Sequence, residues 1–206
     1  MKTVNQMKQF ILITALMMTS ALFADTSNPQ YIVQKATEEM MAELRKNRDA
    51  IAEDKSIVND IVERVLVPQI ASNTIARKVM GKHARTASDE QKERFAAAFK
   101  GYMIRFYSNA FAEYKDETVD YLEAPEYDDQ RRVTIRTKLN LSSGTPIPIN
   151  YVLQRSGDSW KIIDVVIEGI SLVISNRTQF NTSISRDGLD TVIAKLEYKQ
   201  VEEETN

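Results

Sequence analysis

The first half of the chain carries apolar residues at helical spacing. A helix is predicted to begin at Asn28-Pro29, because asparagine caps helix N-termini and proline suits the first helical position. Two further helices are predicted: one covers residues 56–67 and ends before Pro68, and the other covers residues 72–80 and ends at Gly81. The first third of the chain is therefore predicted to be helical.

The clearest local signal in the chain precedes a long helix. Ser88 can cap its N-terminus while the Gln91 side chain reaches back to the Ser88 backbone, forming a capping box. The helix is predicted to run to about Lys115. Its apolar face is unusually aromatic for a helix that only packs on a sheet, although such a face most often belongs to the core. The residues of this face are Phe95, Phe99, Tyr102, Met103, Phe106, Ala110, Phe111 and Tyr114.

From residue 118 onward, apolar residues recur at every second position, which is typical of strands with one buried face. In residues 132–141, for example, Val133 and Ile135 alternate with polar side chains. Two short turns that contain glycine separate this segment from the strands after it. Strands are predicted over residues 118–123, 132–141, 147–155 and 160–167.

Residues 159–180 combine a strand, a hinge and a helix. In residues 160–167 nearly every position is apolar, which is typical of a strand buried on both faces, and only Asp164 interrupts the run. Gly169 marks the change to helical spacing. With a final helix over residues 189–198, the predicted class is α+β: several helices packed against a curved antiparallel sheet of about four strands.

The N-terminus has the pattern of a secretory signal peptide. Lys2 and Lys8 precede an apolar run over residues 10–18, and small residues follow up to Ala24. Cleavage after Ala24 is expected, and cleavage after Ala21 is an alternative. We therefore expect residues 1–24 to be a signal peptide and residues 25–206 to form a single domain exported to a bacterial periplasm.

Charge and cysteine content exclude several classes of function. Removing the two signal-peptide lysines changes the formal net charge from −2 to −4, which argues against nucleic acid as the main partner. The chain contains no cysteine, so disulfides, thiol catalysis and a lipid anchor on cysteine are impossible. The apolar run of the signal is too short to span a bilayer, so the mature protein is expected to be soluble.

The sequence offers little catalytic chemistry. His83 is the only histidine, and acid–base relays and metal sites usually need several such side chains. Asp164, in its apolar strand, is open to two interpretations: a base with a raised pKa, or a carboxylate paired within the fold. No motif for phosphate binding, zinc proteolysis or serine hydrolysis is present. The remaining feature is an apolar surplus, which suggests a sheet closed by helices with room for an apolar ligand.

A series of short motifs follows the predicted signal peptide in a characteristic order. They are Asn28-Pro29, Met80-Gly81, Ser88 to Gln91, Phe95 to Phe99, Tyr107, Trp160-Lys161, Asp164, Glu168 to Leu172, Arg177 to Phe180 and Gly188 to Asp190. On these motifs the chain resembles the MlaC family, also called toluene-tolerance or auxiliary substrate-binding proteins. The resemblance covers almost the whole mature chain.

The resemblance implies an α+β fold related to the nuclear transport factor 2-like cones, with an apolar cavity that holds acyl chains. Family members carry phospholipid across the Gram-negative periplasm and maintain outer-membrane lipid asymmetry. The implied partners are an outer-membrane lipoprotein complexed with a porin and an inner-membrane ABC transporter with an MCE-domain ring. We accordingly expect phospholipid as cargo, no cofactor, no metal, no enzymatic activity and a monomer.

The lining of such a cavity is predicted from the apolar pattern, because the family motifs do not identify it. Arg136 is expected to lie near the mouth, contacting the head group, or to contact a partner; a solvated strand-face charge is the alternative. The predicted wall consists of Phe99, Met103, Phe106, Val133, Ile135, Tyr151, Val165 and Ile167.

Two other functions remain open from the sequence. One is an isomerase or hydratase on the same cone, with Asp164 as base, since a fold does not determine a function. It requires Asp164 to point into the cavity. The other is a lipid-free periplasmic adaptor, in which the apolar surplus is ordinary core.

Overall fold

The computed structural model describes residues 27–142 and 144–204, so the predicted signal peptide lies outside the described residues. Seven α-helices and five strands are described, and the α+β class is confirmed. The helices are α1 (Pro29–Lys46), α2 (Arg48–Glu53), α3 (Ile57–Val65), α4 (Ser72–Met80), α5 (Asp89–Ala112), α6 (Leu172–Asp187) and α7 (Leu189–Glu204). Short 3-10 segments at Val67–Gln69 and Gly81–Arg85 follow α3 and α4.

The predicted helix starts are confirmed in atomic detail. The Asn28 side chain accepts hydrogen bonds from the backbone N–H groups of the first turn of α1. Ser88 and Gln91 form the reciprocal capping box of α5. None of the described helices is both long and apolar enough to cross a membrane.

The sheet is an antiparallel meander whose strands pair in sequence order. It contains one strand more than predicted, because the chain makes a brief pairing just before α6. The strands are β1 (Thr118–Tyr121), β2 (Arg132–Asn140), β3 (Ile147–Ser156), β4 (Ser159–Ile167) and β5 (Ile170–Ser171).

A register shift in β4 explains why this strand looks apolar on both faces in the sequence. Leu153 of β3 pairs with Ile162, whereas the preceding residue Val152 pairs with Asp164, so Ile163 is an extra residue in β4. The shift reverses the alternation beyond Ile163. As a result one face of the sheet carries both the even-numbered Trp160 and Ile162 and the odd-numbered Val165 and Ile167.

The buried apolar residues form three clusters. The first joins α4, α5, α6 and α7, and the second joins α1, α2, α3 and α5. The third contains the strand residues and joins β2, β3 and β4 to the start of α1. Among the described residues, the first two clusters therefore contain helix and loop residues alone.

Candidate functional site

One face of the sheet, here called the inner face, packs on α1. Its side chains are identified by the strand registers, which place paired residues on the same side. Almost all of them are apolar. They are Val119, Tyr121, Val133, Ile135, Thr137, Leu139, Ile147, Ile149, Tyr151, Leu153, Arg155, Trp160, Ile162, Val165 and Ile167.

At one end, the packed end, the inner face is completely covered. It is formed by Val133, Leu153, Trp160 and Ile162, and both Leu153 and Trp160 are 0% exposed. Ile32 and Val33 from the first turn of α1 complete this cluster. The packed end is therefore ordinary protein core.

Polar contacts hold the tryptophan at this end in place. The Trp160 indole Nε1 donates to the Ser27 carbonyl at 2.9 Å. The Arg155 guanidinium lies 4.5 Å from the ring centroid, and it also donates to the Tyr127 carbonyl at 2.8 Å. The indole N–H and one face of the Trp160 ring are therefore engaged by contacts within the chain.

At the other end, the open end, the inner face stays apolar but is only half-buried. It consists of Leu139, Ile147, Ile149, Val165 and Ile167. The reason lies in α1, whose later apolar residues Met40 and Leu44 pack with α3 and α5 instead of with the strands. The helix thus covers only part of the face, and the aliphatic surface beyond it is accessible to an apolar ligand.

Two phenols lie between the two ends. Burial raises the pKa of Tyr151 to about 12, although its side chain keeps part of its surface exposed. Burial also raises the pKa of Tyr121, whose hydroxyl oxygen is buried without a hydrogen bond of good geometry. Thr37 of α1 lies near enough to both phenols to lower their pKa values in part. Its own hydroxyl donates to the Val33 carbonyl at 2.8 Å.

These phenols are the polar groups that an apolar ligand would meet on entering the site. A buried hydroxyl that lacks a hydrogen-bond partner destabilises the protein by about 1–3 kcal/mol. An acceptor oxygen on a ligand would remove this desolvation penalty by accepting a hydrogen bond from the hydroxyl. The other hydroxyl on this face, that of Thr137, donates to the Ile149 carbonyl at 2.7 Å and is already satisfied. Tyr121 is therefore the stronger candidate for a contact with a ligand.

The structure brings together the strand residues of the predicted wall. Val133, Ile135, Tyr151 and Val165 belong to one cluster or pack on it, and Ile167 lies at the open end. The predicted wall did not include Leu139, Ile147 and Ile149. The alternation of apolar residues could have identified them, because it continues through both β2 and β3.

The three wall residues predicted on the aromatic helix lie elsewhere. Phe99 is enclosed by Phe95 and Phe180, at centroid distances of 5.7 and 5.4 Å, in the cluster formed by the helices. Met103 packs on the same cluster, and Phe106 is 59% exposed. These residues are therefore not part of the inner face, and a contribution to the wall remains a prediction for them.

The two charged candidates lie on the opposite, outer face of the sheet. Arg136 is exposed and pairs with Asn150 across the strands, so its predicted contact with a head group or partner remains untested. Asp164 accepts hydrogen bonds from the Ser171 hydroxyl at 2.5 Å and from the Val173 N–H at 3.1 Å. It fastens the start of α6 to β4, as the interpretation of a paired carboxylate predicted.

This position removes the basis for an enzymatic role of Asp164. The enzyme alternative requires the carboxylate to point into the apolar site, but both oxygens are bound on the other face. His83 lies beside Ser185, with 3.3 Å between Nε2 and Oγ, in the 3-10 segment after α4. Within the described part of the chain, no three His, Cys, Asp or Glu residues are grouped so that they could hold a metal.

The chain matches the family model "MlaC protein" over residues 34–198. It is 32% identical over 165 residues to the toluene tolerance protein ttg2D of Pseudomonas putida, covering 79% of this chain and 75% of that protein. It is 25% identical over 188 residues to the intermembrane phospholipid transport system binding protein MlaC of Haemophilus influenzae, covering 90% and 87%.

A solved structure shares the fold. It is a phospholipid-binding protein from Ralstonia solanacearum, determined in complex with a phospholipid at a resolution of 1.53 Å. The TM-score is 0.77 and the sequence identity is 26%, with 85% of this chain and 98% of that chain covered.

Proposed function

The chain belongs to the MlaC protein family, and from this premise we propose that it binds a phospholipid and carries it between membranes. The observation that carries the proposal is the half-buried, apolar open end of the inner face. A family relative named for phospholipid transport and a structural neighbour holding a phospholipid support the same ligand class. Phospholipid is then cargo, and no chemical step is required.

The acyl chains lie along Leu139, Ile147, Ile149, Val165 and Ile167. Tyr121 and Tyr151 lie where this surface meets the packed end, so their hydroxyls donate to oxygens of the glycerol esters. The packed end limits how far the chains can enter. The phosphate and the rest of the head group stay outside, because the open end of the inner face carries no charged group for them, and Arg155 at the packed end is engaged by Trp160 and the Tyr127 carbonyl.

Burial of acyl chains makes a protein carrier necessary. Each methylene removed from water contributes about 0.8 kcal/mol, so roughly 30 methylenes contribute on the order of 24 kcal/mol. Unassisted release into water is therefore extremely slow. A protein site offers the chains much the same environment as a bilayer, so transfer during contact with a membrane complex can be nearly isoenergetic.

We also propose a cellular location and two membrane complexes as partners. The signal pattern of residues 1–24 directs the protein to the periplasm. There it exchanges lipid with an outer-membrane lipoprotein–porin complex and with an inner-membrane ABC transporter that carries an MCE-domain ring. The exchange maintains the lipid asymmetry of the outer membrane.

Native mass spectrometry of protein purified from the periplasm tests the proposal. We expect each chain to carry the additional mass of one diacyl phospholipid, identified after denaturing extraction. A bare chain, under conditions that preserve known lipid complexes, would contradict the carrier function and favour a lipid-free adaptor.

Two neighbouring valines give a matched pair for locating the lipid. Val165 lies on the inner face opposite Tyr151, whereas Val166 lies on the outer face opposite Asn150. We expect Val165→Glu to abolish co-purifying lipid and Val166→Glu to retain it, with the circular dichroism of both variants unchanged. Equal lipid content in the two folded variants would refute the proposed site.

A further inference from the structure

A basic cleft lies between the end of α4 and the middle of α6. It encloses about 270 Å³. No carboxylate is among the described residues that line it. The lining consists of Arg77, Lys78, Gly81, Lys82, Arg85 and Arg177.

The cleft is a defined feature of the packing between two helices. Gly81 has a positive φ of 58°, and a Cβ at this position would lie 2.9 Å from the Asn181 Oδ1 and 3.0 Å from the Arg177 Nε. The Asn181 amide donates to the Val79 carbonyl and to the Arg177 carbonyl, both at 2.8 Å. Glycine permits this close approach, and Asn181 holds the two helices together beneath the cations.

Four exposed cations around the cleft lack carboxylate partners within the described part of the chain. Arg77, Lys82, Arg85 and Arg177 are exposed, and no described carboxylate forms an ion pair with them. Other surface arginines of this chain do form such pairs. Arg48, for example, lies 2.6 Å from Asp116, and Arg94 lies 2.8 Å from Glu197.

The positive charge continues from the cleft to the outer face of the sheet. Burial lowers the pKa of Lys78, and the nearby charge of Arg132 lowers it further, whereas the nearby Asp164 carboxylate raises it. Arg132, Arg136 and Lys138 are exposed on that face of β2, with Thr134 between the first two and Asp120 of β1 opposite Lys138. Cations thus outnumber carboxylates on this side of a chain whose formal net charge is −2, and an external anion would relieve their repulsion.

We propose that this basic cleft is a docking site for an acidic segment of a partner protein. The inference rests on the proposed carrier function, because a carrier must dock where it takes up or releases lipid. The donors are separate side chains, and the Gly81 N–H, which could have bound a phosphate, already donates to the Arg77 carbonyl. Dispersed cations match carboxylates spread along a peptide better than they match one phosphate group.

The surroundings of the cleft also fit a protein partner. Lys82 borders a second, shallow hollow lined by the amide and hydroxyl groups of Asn181, Thr182 and Ser185. Ile174, one turn before Arg177 on α6, is 64% exposed. Charged, polar and apolar groups side by side are typical of protein–protein interfaces.

Fluorescence anisotropy with a labelled oligoglutamate peptide tests the inference on the full mature chain. We expect salt-sensitive binding to the wild-type protein. The double variant Arg77→Glu with Arg177→Glu should bind at least about tenfold more weakly. A matched control, Lys35→Glu with Arg45→Glu, makes the same change in net charge on the exposed side of α1 and should keep wild-type affinity within about twofold.

A second variant, Lys82→Glu with Arg85→Glu, keeps the test valid if the first variant fails to fold. Equal affinities of the folded cleft variants and the control would overturn the inference. So would cleft-dependent binding of inorganic phosphate or of phosphatidylglycerol vesicles that is tighter than binding of the peptide. Lipid content is measured on the same samples by native mass spectrometry. Lost peptide binding with retained lipid supports docking, whereas a lipid-free wild type contradicts only the carrier function.

Discussion

The packed end and the open end of the inner face are built from the same three strands, yet only one of them is covered. At the packed end, the start of α1 fills the surface with Ile32 and Val33. At the open end, equally apolar side chains of β2, β3 and β4 remain half-buried. The difference shows that an apolar alternation predicts a face, while the element lying over that face determines whether it is core or a binding surface.

The largest expected effect is at the packed end. Trp160→Ala removes the largest fully buried side chain together with the hydrogen bond of its indole to Ser27. We expect a loss of about 4 kcal/mol in the free energy of unfolding, measured by urea denaturation of delipidated protein. A loss below about 1 kcal/mol would show that the packed end is not the core of this sheet.

Two isoleucines provide the direct comparison between the ends. Ile162 belongs to the packed end and Ile149 to the open end. In delipidated protein we expect Ile162→Ala to cost about 3 kcal/mol and Ile149→Ala about 1 kcal/mol, since a half-buried side chain loses fewer contacts. Bound lipid should add less stability to Ile149→Ala than to the wild type, because its affinity is lower. Equal losses in the delipidated variants would abolish the distinction.

A smaller effect is expected where the two ends meet. Tyr121→Phe removes a buried hydroxyl that has no good partner, so the lipid-free protein should keep its stability or gain up to about 1 kcal/mol. Loss of the proposed hydrogen bond to the ligand should weaken lipid binding about fivefold. Tyr31→Phe, at an exposed position of α1, is the control for both measurements. Unchanged lipid affinity in Tyr121→Phe would refute the hydrogen bond.

The smallest effect appears only at alkaline pH. The pKa of Tyr151 in the folded protein, about 12, lies above the value of about 10 expected for an unfolded tyrosine, so folding favours the neutral phenol. The stabilisation is fully present below about pH 10 and is lost as the pH rises from about 10 towards 12. In an absorbance titration of phenolate, Tyr151→Phe should lack the tyrosine that ionises last. If the titration curve of Tyr151→Phe instead lacks a tyrosine that ionises early, the raised pKa of Tyr151 is contradicted.

Local signals in the sequence predicted most of the elements. The capping side chains Asn28, Ser88 and Gln91 and the alternation of β2 act within a few residues of chain, so their consequences can be predicted without the fold. The short helix α2 and the strand β5 were missed. Both are brief, and β5 exists only through its pairing with β4.

The candidate site was only partly predictable. Tyr151 and Val165, which were predicted to line the wall, lie opposite each other on one face, and the bulge at Ile163 was not predicted. The aromatic face of α5 correctly indicated that Phe99 is buried. It did not indicate which element Phe99 contacts, and Phe99 packs against α6 and not against the sheet. The basic cleft was not predicted at all, because its cations come from separate segments that only α4 and α6 bring together.

By itself, the sequence determined where helices and strands begin, which side chains alternate along a strand, and to which family the chain belongs. These properties depend on neighbouring residues and on motifs in a fixed order. Tertiary structure alone decided which half of the inner face stays open, that Asp164 fastens α6, and that cations from separate segments line one cleft with Gly81. Each of these depends on the direction in which one helix crosses another element, and that direction is determined by contacts between residues far apart in the chain.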